Sequence, residues 1–354
     1  MEDFEKYKKL GEPDKLAKSE IWQTAIGLQQ VDGLKPSDYL IKTAKQNIEG
    51  EITIYEVQQR LNGYYEAQPV KSKEDRTEEA DKVSARITEI LSEQTFSFSP
   101  AEYLIIHKRL FTGILDDKIA GKIRDYNIRK DEWVLNGETV FYASAGSIAA
   151  ALDYDFDQEK AFEYKGLSKS EAAEHIAKFI SGIWQIHAFG EGNTRATAVF
   201  AIKYMRTLGF KADNALFAGH SWYFRNALVR ANYNDVKHNV YATMEYLNRF
   251  FKNLLLGDKN ILKNREMLID IGKDTQEKYP KKSPEKHPKK NLLKTKDKIL
   301  ALIAETPEIS MAEMGTALGL SPDTIRDHMN RLKAKNIIRR VGPDKGGHWE
   351  IIDI

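Results

Sequence analysis

Apolar residues recur at helical spacing on both sides of a short polar loop in the middle of the chain. Before the loop, the stretch from Ser168 to Ile186 opens with a capping box, in which Glu171 follows Ser168 by three residues. After the loop, apolar residues recur every three or four positions as far as Leu208, and Gly209 is a typical helix stop. The pattern therefore predicts two helices joined by a short loop.

The C-terminal part of the chain has a different pattern. Short apolar stripes predict three helices, of which the second opens with a capping box at Ser310 and the third starts at Ser321-Pro322. Two extended segments, 337–341 and 349–352, follow with a Gly-rich turn between them. This order of elements resembles a winged helix, which implies that the third helix enters the major groove of DNA or, alternatively, that the module docks a protein. The candidate DNA contacts are Arg326, Asn330, Arg331, Arg339 and Arg340.

The amino-acid composition favours one fold class and excludes disulfides and one kind of metal site. Glu, Lys, Leu and Ala are abundant and strand-like alternation is rare among the 354 residues, which favours a mostly helical protein of two or three domains. The absence of cysteine from the sequence excludes disulfides and thiolate zinc sites. No apolar run is long enough to span a bilayer and the N-terminus lacks a signal sequence, so we expect a cytoplasmic protein without a membrane partner. A net charge of +2 confines any nucleic-acid surface to a local patch.

The loop between the two central helices, from His187 to Arg195, holds the most reactive combination of side chains. It places one base, His187, one carboxylate, Glu191, and one fixed positive charge, Arg195, within a few residues. Because the loop leads into a helix, unpaired backbone N–H groups and the helix dipole favour an anion there. These residues predict a site for a nucleotide polyphosphate with a divalent cation.

This loop resembles the signature of the Fic family. The matching residues are His187, Phe189, Glu191, Gly192, Asn193 and Arg195, with Thr194 where Gly is commonest. The final arginine of the family signature is absent, because Ala198 stands in its place. The resemblance implies a protein adenylyltransferase (AMPylator), which transfers AMP from ATP to a Ser, Thr or Tyr hydroxyl of a target protein and of itself.

The resemblance also assigns roles within the loop. His187 would act as the general base, since a free imidazole with a pKa of about 6.5 can take a hydroxyl proton. Glu191 would hold Mg²⁺ together with phosphate oxygens of the ATP substrate. The remaining candidates for binding the nucleotide phosphates are Gly192, Asn193, Thr194 and Arg195. Arg195 would neutralise the pyrophosphate that leaves.

Two later segments resemble other parts of the family. The run from Gly121 to Arg124, followed by the Asn136-Gly137 turn, resembles the flap, a β-hairpin that aligns a target segment by strand addition. An ordinary surface hairpin is the alternative. The helical stretch from Tyr223 to Tyr233 resembles the helix that closes the adenine pocket, so Asn232 and Tyr223 are candidate nucleotide contacts. A core position is the alternative for Tyr223.

Near the N-terminus, the segment Ile48-Glu49-Gly50 resembles the inhibitory helix of Fic proteins. In that helix a Glu pairs with the final arginine of the signature and displaces the γ-phosphate of ATP. Lys45 stands where the family has Ser or Thr, and Ala198 leaves the usual partner missing. We therefore expect Glu49 to inhibit by pairing with Arg195, with a solvated helix-end residue as the alternative.

The predicted architecture is mostly α, with a Fic-type helical core, a small β-hairpin flap and a C-terminal winged helix-turn-helix domain. We expect an N-terminal helical region with the inhibitory motif over 1–95 and a catalytic core over 96–256. A helical and basic linker over 257–293, rich in Lys and Pro from 278 to 290, would precede the winged helix over 294–354.

Two functions of different classes remain open at this point. Besides an adenylyltransferase, the chain could be a DNA-binding transcriptional regulator whose Fic site senses nucleotide. A Fic enzyme that removes AMP or transfers another phosphate-linked group is a third alternative. The positioned base favours an enzyme, because a nucleotide sensor needs no base. The expected partners are a target protein with a hydroxyl side chain and, through the C-terminal module, DNA; a homo-oligomer is also compatible with the sequence.

Overall fold

The computed structural model divides the chain into two compact units, Met1–Lys273 and Asp274–Ile354. The residues that it describes are 4, 13–68, 76–210, 214–269, 299–300, 302–304, 306–318, 322–334, 337–342 and 347–352. Within these ranges the protein is mostly helical, so the predicted fold class is confirmed. The linker expected over the Lys- and Pro-rich segment 278–290 lies outside the described residues.

Helices make up most of the first unit. In its described part they are, in chain order, α1 (Pro13–Gly27), α2 (Asp38–Glu49), α3 (Ile54–Glu66), α4 (Thr77–Ser92), α5 (Pro100–Phe111), α6 (Ile148–Ala161), α7 (Lys169–Ile186), α8 (Asn193–Thr207), α9 (Asn214–Ala231) and α10 (Glu245–Leu256). Short 3₁₀ helices lie between them at Leu28–Asp32, Trp133–Leu135, Ala145–Ser147, Val236–His238 and Asn264–Met267.

The two helices predicted around the central loop are α7 and α8. The capping box of α7 is formed as expected, since the Glu171 backbone N–H donates to Ser168 Oγ at 3.2 Å and the Ser168 N–H donates to the Glu171 carboxylate at 2.8 Å. After α8, Gly209 adopts a left-handed φ of +81°. The sequence prediction for both helices is confirmed.

Helix α8 lies at the centre of the unit. Every residue from Asn193 to Met205 is buried, which marks a helix covered on all sides rather than one with a solvated face. Helices α4, α5 and α7 all pack against it. An aromatic cluster that includes Phe98, Phe156 and Phe200 fills the space around its second half. This packing fixes the position of the α8 N-terminus, where the signature loop ends.

A close crossing between α1 and α9 brings the N-terminal helices towards the N-terminus of α8. A Cβ atom on Gly27 would lie 2.3 Å from the Ala218 Cα, so α1 and α9 touch backbone to backbone there. The Ser221 hydroxyl donates to the Gly27 carbonyl at 2.7 Å and strengthens the crossing. The 3₁₀ helix Leu28–Asp32 follows directly and packs against α8.

The predicted flap has its turn, but neither segment beside the turn, 133–135 or 140–142, forms a strand among the described residues. Asn136 and Gly137 both adopt left-handed backbone angles, with φ of +54° and +88°, as a tight turn requires. The preceding residues Trp133–Leu135 form a 3₁₀ helix instead of a strand. The reason is that the N–H groups of Leu135 and Gly137 both donate to the Glu132 carbonyl at 3.0 Å, which curls the chain before it can extend.

The second unit contains the predicted helices and hairpin. Its further elements are α11 (Met311–Leu318), α12 (Pro322–Ala334), β1 (Ile338–Val341) and β2 (His348–Ile351). The two strands are antiparallel, with Arg339 opposite Glu350 and Arg340 opposite Trp349. The buried core of this unit is formed by Ile299, Ile303, Met314, Ile325, Met329, Leu332, Ile338 and Trp349. Among the described helices of both units, none combines the length and apolar character needed to cross a bilayer.

Candidate active site

The signature loop is closed by the side chain of Asn193, the first residue of α8. Its Oδ1 accepts the Phe189 N–H at 2.9 Å, and its Nδ2 donates to the Phe189 carbonyl at 2.7 Å. The Thr194 hydroxyl accepts the indole N–H of Trp184 at 3.0 Å and ties the loop to α7. Phosphate was expected to meet the Asn193 amide and the backbone N–H groups of Gly192, Asn193 and Thr194, but the structure uses the Asn193 amide, like the Thr194 hydroxyl, to shape the loop. Their part in an anion site would come from the backbone of the α8 N-terminus.

Gly192 is required by two separate features of its position. Its φ of +77° lies in the left-handed region, and a Cβ there would lie 2.5 Å from the ring of Phe111. The tight turn brings the chain from the loop directly onto the N-terminus of α8. Any larger residue would have to displace Phe111, which also carries Arg195 over its ring at 4.8 Å.

His187 ends α7 in an unusual left-handed conformation, with φ of +52°. This backbone turns the imidazole inward, where it is 3% exposed and lies 4.1 Å from the ring of Tyr142. Its Nδ1 lies 3.3 Å from the Trp184 carbonyl, which can only accept, so the proton belongs on Nδ1. Nε2 is buried and has no hydrogen-bond partner among the described residues. Burial, with a smaller effect from the Lys130 ammonium, holds the pKa of His187 well below its usual value.

Arg195 is fully buried and is surrounded by groups from two remote elements. Its Nε lies 2.8 Å from Asp32 Oδ2, and its Nη1 donates to Gln29 Oε1 at 3.1 Å. Both partners come from the 3₁₀ helix that follows α1. Its Nη2 donates to Glu79 Oε1 at 2.7 Å, from the first turn of α4. The one fixed cation of the loop is therefore paired with carboxylates in this structure.

Glu191 is paired in the same way, but with a cation. The Nη2 of Arg76, the residue before α4, lies 2.7 Å from Glu191 Oε1 and 2.7 Å from Glu79 Oε1. Asp32, Arg195, Glu79, Arg76 and Glu191 thus form a continuous row of alternating charges. Burial alone would raise the pKa of Glu79, but hydrogen bonds from Arg76 and the charge of Arg195 outweigh it and lower that pKa.

The expected pairing of Glu49 with Arg195 is corrected by these contacts. The Glu49 carboxylate instead lies 3.0 Å from the Lys15 ammonium, with 30% of its side chain exposed. Glu49 ends α2, and the left-handed Gly50 turns the chain away directly after it. The carboxylates that reach Arg195 come from Asp32 and Glu79, which the sequence did not single out.

Two more residues that hold the loop were missed by the sequence analysis. His107 on α5 accepts the Gly121 N–H on Nδ1 at 2.9 Å and donates from Nε2 to the Glu191 carbonyl at 2.8 Å. Its ring also stacks on Phe189 at 3.6 Å. Burial lowers the pKa of His107 to about 4. A lone histidine on an apolar helix face carries no sequence signal for this role.

Arg124 anchors the other side of the loop. Its guanidinium donates to four backbone carbonyls, those of His187 at 2.8 Å, Tyr126 at 2.6 Å, Ala143 at 2.5 Å and Ile186 at 3.4 Å. Its backbone N–H donates to the Ala188 carbonyl at 2.9 Å. The run from Gly121 to Arg124, part of the segment that resembles the flap, is thus bonded to the backbone of His187, the candidate base.

Family models match two parts of the chain. Residues 97–205, which include the whole signature loop, match the Fic/DOC family. The chain contains a Fic/DOC domain. Residues 292–339 match the winged helix-turn-helix DNA-binding family. No curated protein is significantly similar to the chain.

Solved Fic domains are similar to this chain at low sequence identity. The N-terminal Fic domain of Bep8 from Bartonella sp. 1-1C is 19% identical, with 52% of this chain and 87% of that chain covered and a TM-score of 0.41. A Fic-domain signalling protein from Bacteroides thetaiotaomicron is 16% identical, with coverages of 71% and 89% and a TM-score of 0.44. BepC from Bartonella tribocorum, solved with AMPPNP, is 19% identical, with coverages of 53% and 92% and a TM-score of 0.37.

The two candidates for contacts with a nucleotide base have other partners in the first unit. Tyr223 is 1% exposed and its hydroxyl donates to the Tyr246 carbonyl at 3.2 Å, so the structure places it in the core. This corrects the expected nucleotide contact. The Asn232 amide donates to Ser181 Oγ at 2.8 Å and to the Leu228 carbonyl at 2.9 Å. Its amide nitrogen therefore ties α9 to α7, and a base contact would fall to its oxygen.

The residues around Glu191 fit a magnesium ion that is completed by a ligand. The described residues contain no cluster of three or more His, Cys, Asp or Glu side chains suited to holding a metal on their own. Mg²⁺ is commonly held by one or two carboxylates plus phosphate oxygens, and Glu191 offers one carboxylate with 39% of its side chain exposed. The carboxylate would first have to leave Arg76.

The candidate DNA contacts fall into three groups. Arg326 and Asn330 lie exposed on α12, while the side chain of Arg331 lies outside the described side chains. On the hairpin, Arg339 lies 2.5 Å from the Glu350 carboxylate, and Arg340 lies over the ring of Trp349 at 4.9 Å. Arg326, Asn330 and Arg339 are thus exposed to solvent.

Proposed function

We propose that the Fic/DOC domain is a protein adenylyltransferase with His187 as its general base. A target hydroxyl oxygen attacks the α-phosphorus of ATP while His187 Nε2 takes the hydroxyl proton. The bond between the α-phosphorus and the oxygen bridging to the β-phosphate breaks, and pyrophosphate leaves. The observation that carries this proposal is the buried Nε2 of His187, which has no hydrogen-bond partner among the described residues and belongs to the loop that leads into α8.

The electrostatics around His187 suit a base that works only with nucleotide bound. Burial and the nearby Lys130 ammonium lower the pKa of His187, so the imidazole is neutral and has a lone pair to offer at neutral pH. A low pKa also makes it a weak base. The negative charge of a triphosphate placed beside it would raise that pKa again.

The row of alternating charges from Asp32 to Glu191 would hold the metal ion and bind the phosphates. Glu191 would hold Mg²⁺, which supplies charge neutralisation and orientation of the phosphates when bound. Arg195 would bind the departing phosphates once Asp32 and Glu79 give way, since guanidinium groups bind phosphate and carboxylate oxygens with the same fork of donors. The nucleotide-free enzyme would therefore start in a state of low activity.

The experiment compares ATP labelled at the α- or the γ-phosphate, incubated with Mg²⁺, the full chain and cell lysate. Transfer of AMP labels protein from α-labelled ATP alone, whereas transfer of phosphate would require the γ-label. His187→Ala should lower labelling about 10²–10⁴-fold, the usual size for loss of a general base. His175→Ala is the matched control, since this histidine pairs with Glu159 at 2.7 Å instead. Equal labelling by the parent and His187→Ala would rule the proposal out.

A second function, DNA binding, is favoured by the exposed Arg326 and Asn330 on α12 of the winged helix. We propose that the C-terminal domain, over 294–354, positions the catalytic core of 96–256 at DNA or at a DNA-bound target. Arg326→Ala should weaken DNA binding and lower the salt slope by about one unit, without changing self-modification. If the full chain shows no salt-sensitive affinity for duplex DNA, a protein-docking role replaces this one.

A further inference from the structure

A second guanidinium lies beside the N-terminus of α8, and it comes from outside the signature loop. Arg76 Nη2 and Arg195 Nη2 each lie 2.7 Å from the same oxygen, Glu79 Oε1. The two nitrogens are therefore no further apart than twice that distance. Two guanidinium groups at this spacing can bind neighbouring phosphate groups of one polyphosphate.

The signature helix itself is short of positive charge. One turn beyond Arg195, Ala198 is fully buried and offers no charge where the family signature has its final arginine. The next cation along α8 is Lys203, which donates to the carbonyls of Ile90 and Glu93. Arg195 alone would have to meet the charge of a leaving pyrophosphate, which carries several negative charges.

We propose that Arg76 binds the pyrophosphate portion of the nucleotide and supplies the charge that Ala198 does not. This rests on the proposed function. When Glu191 turns to a metal ion, Arg76 is released from it and can take phosphate oxygens in exchange. As the bond to the β-phosphate breaks, Arg76 and Arg195 together stabilise the charge that develops on the departing oxygen.

The geometry of Arg76 is suited to this exchange. Its Nε and Nη2 lie 2.7 Å from the two carboxylate oxygens of Glu79, a bidentate pair that holds the guanidinium plane in place. That contact raises the pKa of Arg76, so it stays charged. Its side chain is 34% exposed, so a ligand entering from solvent can reach it. A guanidinium already oriented by Glu79 loses little further freedom when phosphate binds.

The test compares Arg76→Ala with Arg109→Ala in the full chain. Arg109 is a matched control, because its side chain is 35% exposed and pairs with two carboxylates, Glu89 and Glu93, near the other end of α4. Calorimetry measures the affinities for pyrophosphate, ATP and AMP in the presence of Mg²⁺. Arg76→Ala should weaken pyrophosphate and ATP binding about tenfold to a hundredfold and change AMP binding less than twofold. Arg109→Ala should leave all three within about twofold.

Further variants separate charge from folding. Arg76→Lys should recover part of the lost affinity, and Arg76→Gln should not, while circular dichroism verifies that each variant is folded. Equal pyrophosphate affinity in the parent and Arg76→Ala would overturn the inference, as would a parent that does not bind pyrophosphate. Tighter ATP binding by Arg76→Ala would also overturn it, because Arg76 would then only block Glu191. The proposed function fails on a different readout, labelling that does not depend on His187.

Discussion

Helices α4 and α8 lie side by side and run in the same direction, but the cations at the two ends of α8 meet different partners. At the start, Arg195 meets the side-chain carboxylates of Asp32 and Glu79. At the end, Lys203 donates to backbone carbonyls at 2.6 and 3.1 Å, and Arg206 donates to another at 2.6 Å. These carbonyls belong to the last turn of α4 and the residue after it.

The start of α8 can change its partners, whereas its last turn cannot. A carboxylate on a side chain can rotate away when a phosphate or metal ion takes its place. A carbonyl at the end of a helix cannot leave without unwinding that helix, and a cation there is further stabilised by the helix dipole. The start of α8, at Arg195, is therefore an exchangeable end, where carboxylates can give way to phosphate. The last turn, with Lys203 and Arg206, holds α8 against α4.

Among changes to the charged residues at the two ends of α8, Arg195→Met should produce the largest effect. We expect the kcat/KM of transfer to fall about 10²–10³-fold, the usual cost of removing one donor that stabilises developing charge. Arg206→Met removes a cation from the other end and should change kcat/KM only a few-fold. The two variants are compared by initial rates of labelling. Similar losses in both would mean that the ends do not differ in function.

Lowering the pH should destabilise the fold by protonating His107, which contacts the signature loop. Its pKa in the folded protein, about 4, lies below the ordinary value near 6.5, so the unfolded chain binds the proton first. The corresponding stability is present above pH 6.5 and is lost as the pH falls towards 4, by about 3 kcal/mol. His187, whose pKa is also lowered, adds in the same direction. Urea unfolding at several pH values should show this loss in the parent and a smaller one in His107→Gln; an identical pH dependence would contradict it.

Lys203→Met should affect stability alone. The change removes two charge-assisted hydrogen bonds that join α8 to the end of α4, so the free energy of unfolding should fall by about 1.5–3 kcal/mol. Transfer by the folded variant should stay within about twofold of the parent. Urea denaturation and initial rates on the same preparation check both parts. A variant as stable as the parent, with slower transfer, would reverse the roles assigned to the two ends.

Much of α7, α8 and the loop between them could be predicted because their features are local in sequence. The capping box of Ser168, the helix stop at Gly209 and the position of His187 between two helices all follow from neighbouring residues. The signature resemblance located the Fic/DOC domain for the same reason. Local patterns also predicted the helices and hairpin of the C-terminal unit.

The partners of the loop could not be predicted, because they come from distant elements. Glu79 is 116 residues from Arg195, and Gln29 is 166 residues away. The crossing of α1 and α9 at Gly27 lies two residues before Gln29 and helps to bring it into place. Glu49 was chosen because a short motif surrounds it, whereas Glu79 has no local signal. The Asn193 side chain was assigned to phosphate because the sequence does not reveal that this side chain forms hydrogen bonds with the backbone of its own loop.

Glu79→Gln changes one charge and almost no volume at the start of α8. Glu79 joins Arg76 and Arg195, and its negative charge competes with phosphate for both. Removing that charge should tighten ATP binding about tenfold, the equivalent of about 1.4 kcal/mol for a charge-assisted contact that no longer has to be broken. Calorimetry with Mg²⁺ measures the change.

Two controls locate this effect at one end of the helix pair. Glu93→Gln removes a carboxylate that pairs with Arg109 beyond the end of α4, so ATP affinity should not change. Glu49→Gly should also leave it unchanged, because the Glu49 carboxylate lies against Lys15 rather than Arg195. Tighter ATP binding by Glu49→Gly and not by Glu79→Gln would return inhibition to the α2 motif. Tightening by Glu79→Gln alone would show that competition with phosphate has moved to a carboxylate of α4, where Arg76 and Arg195 share it.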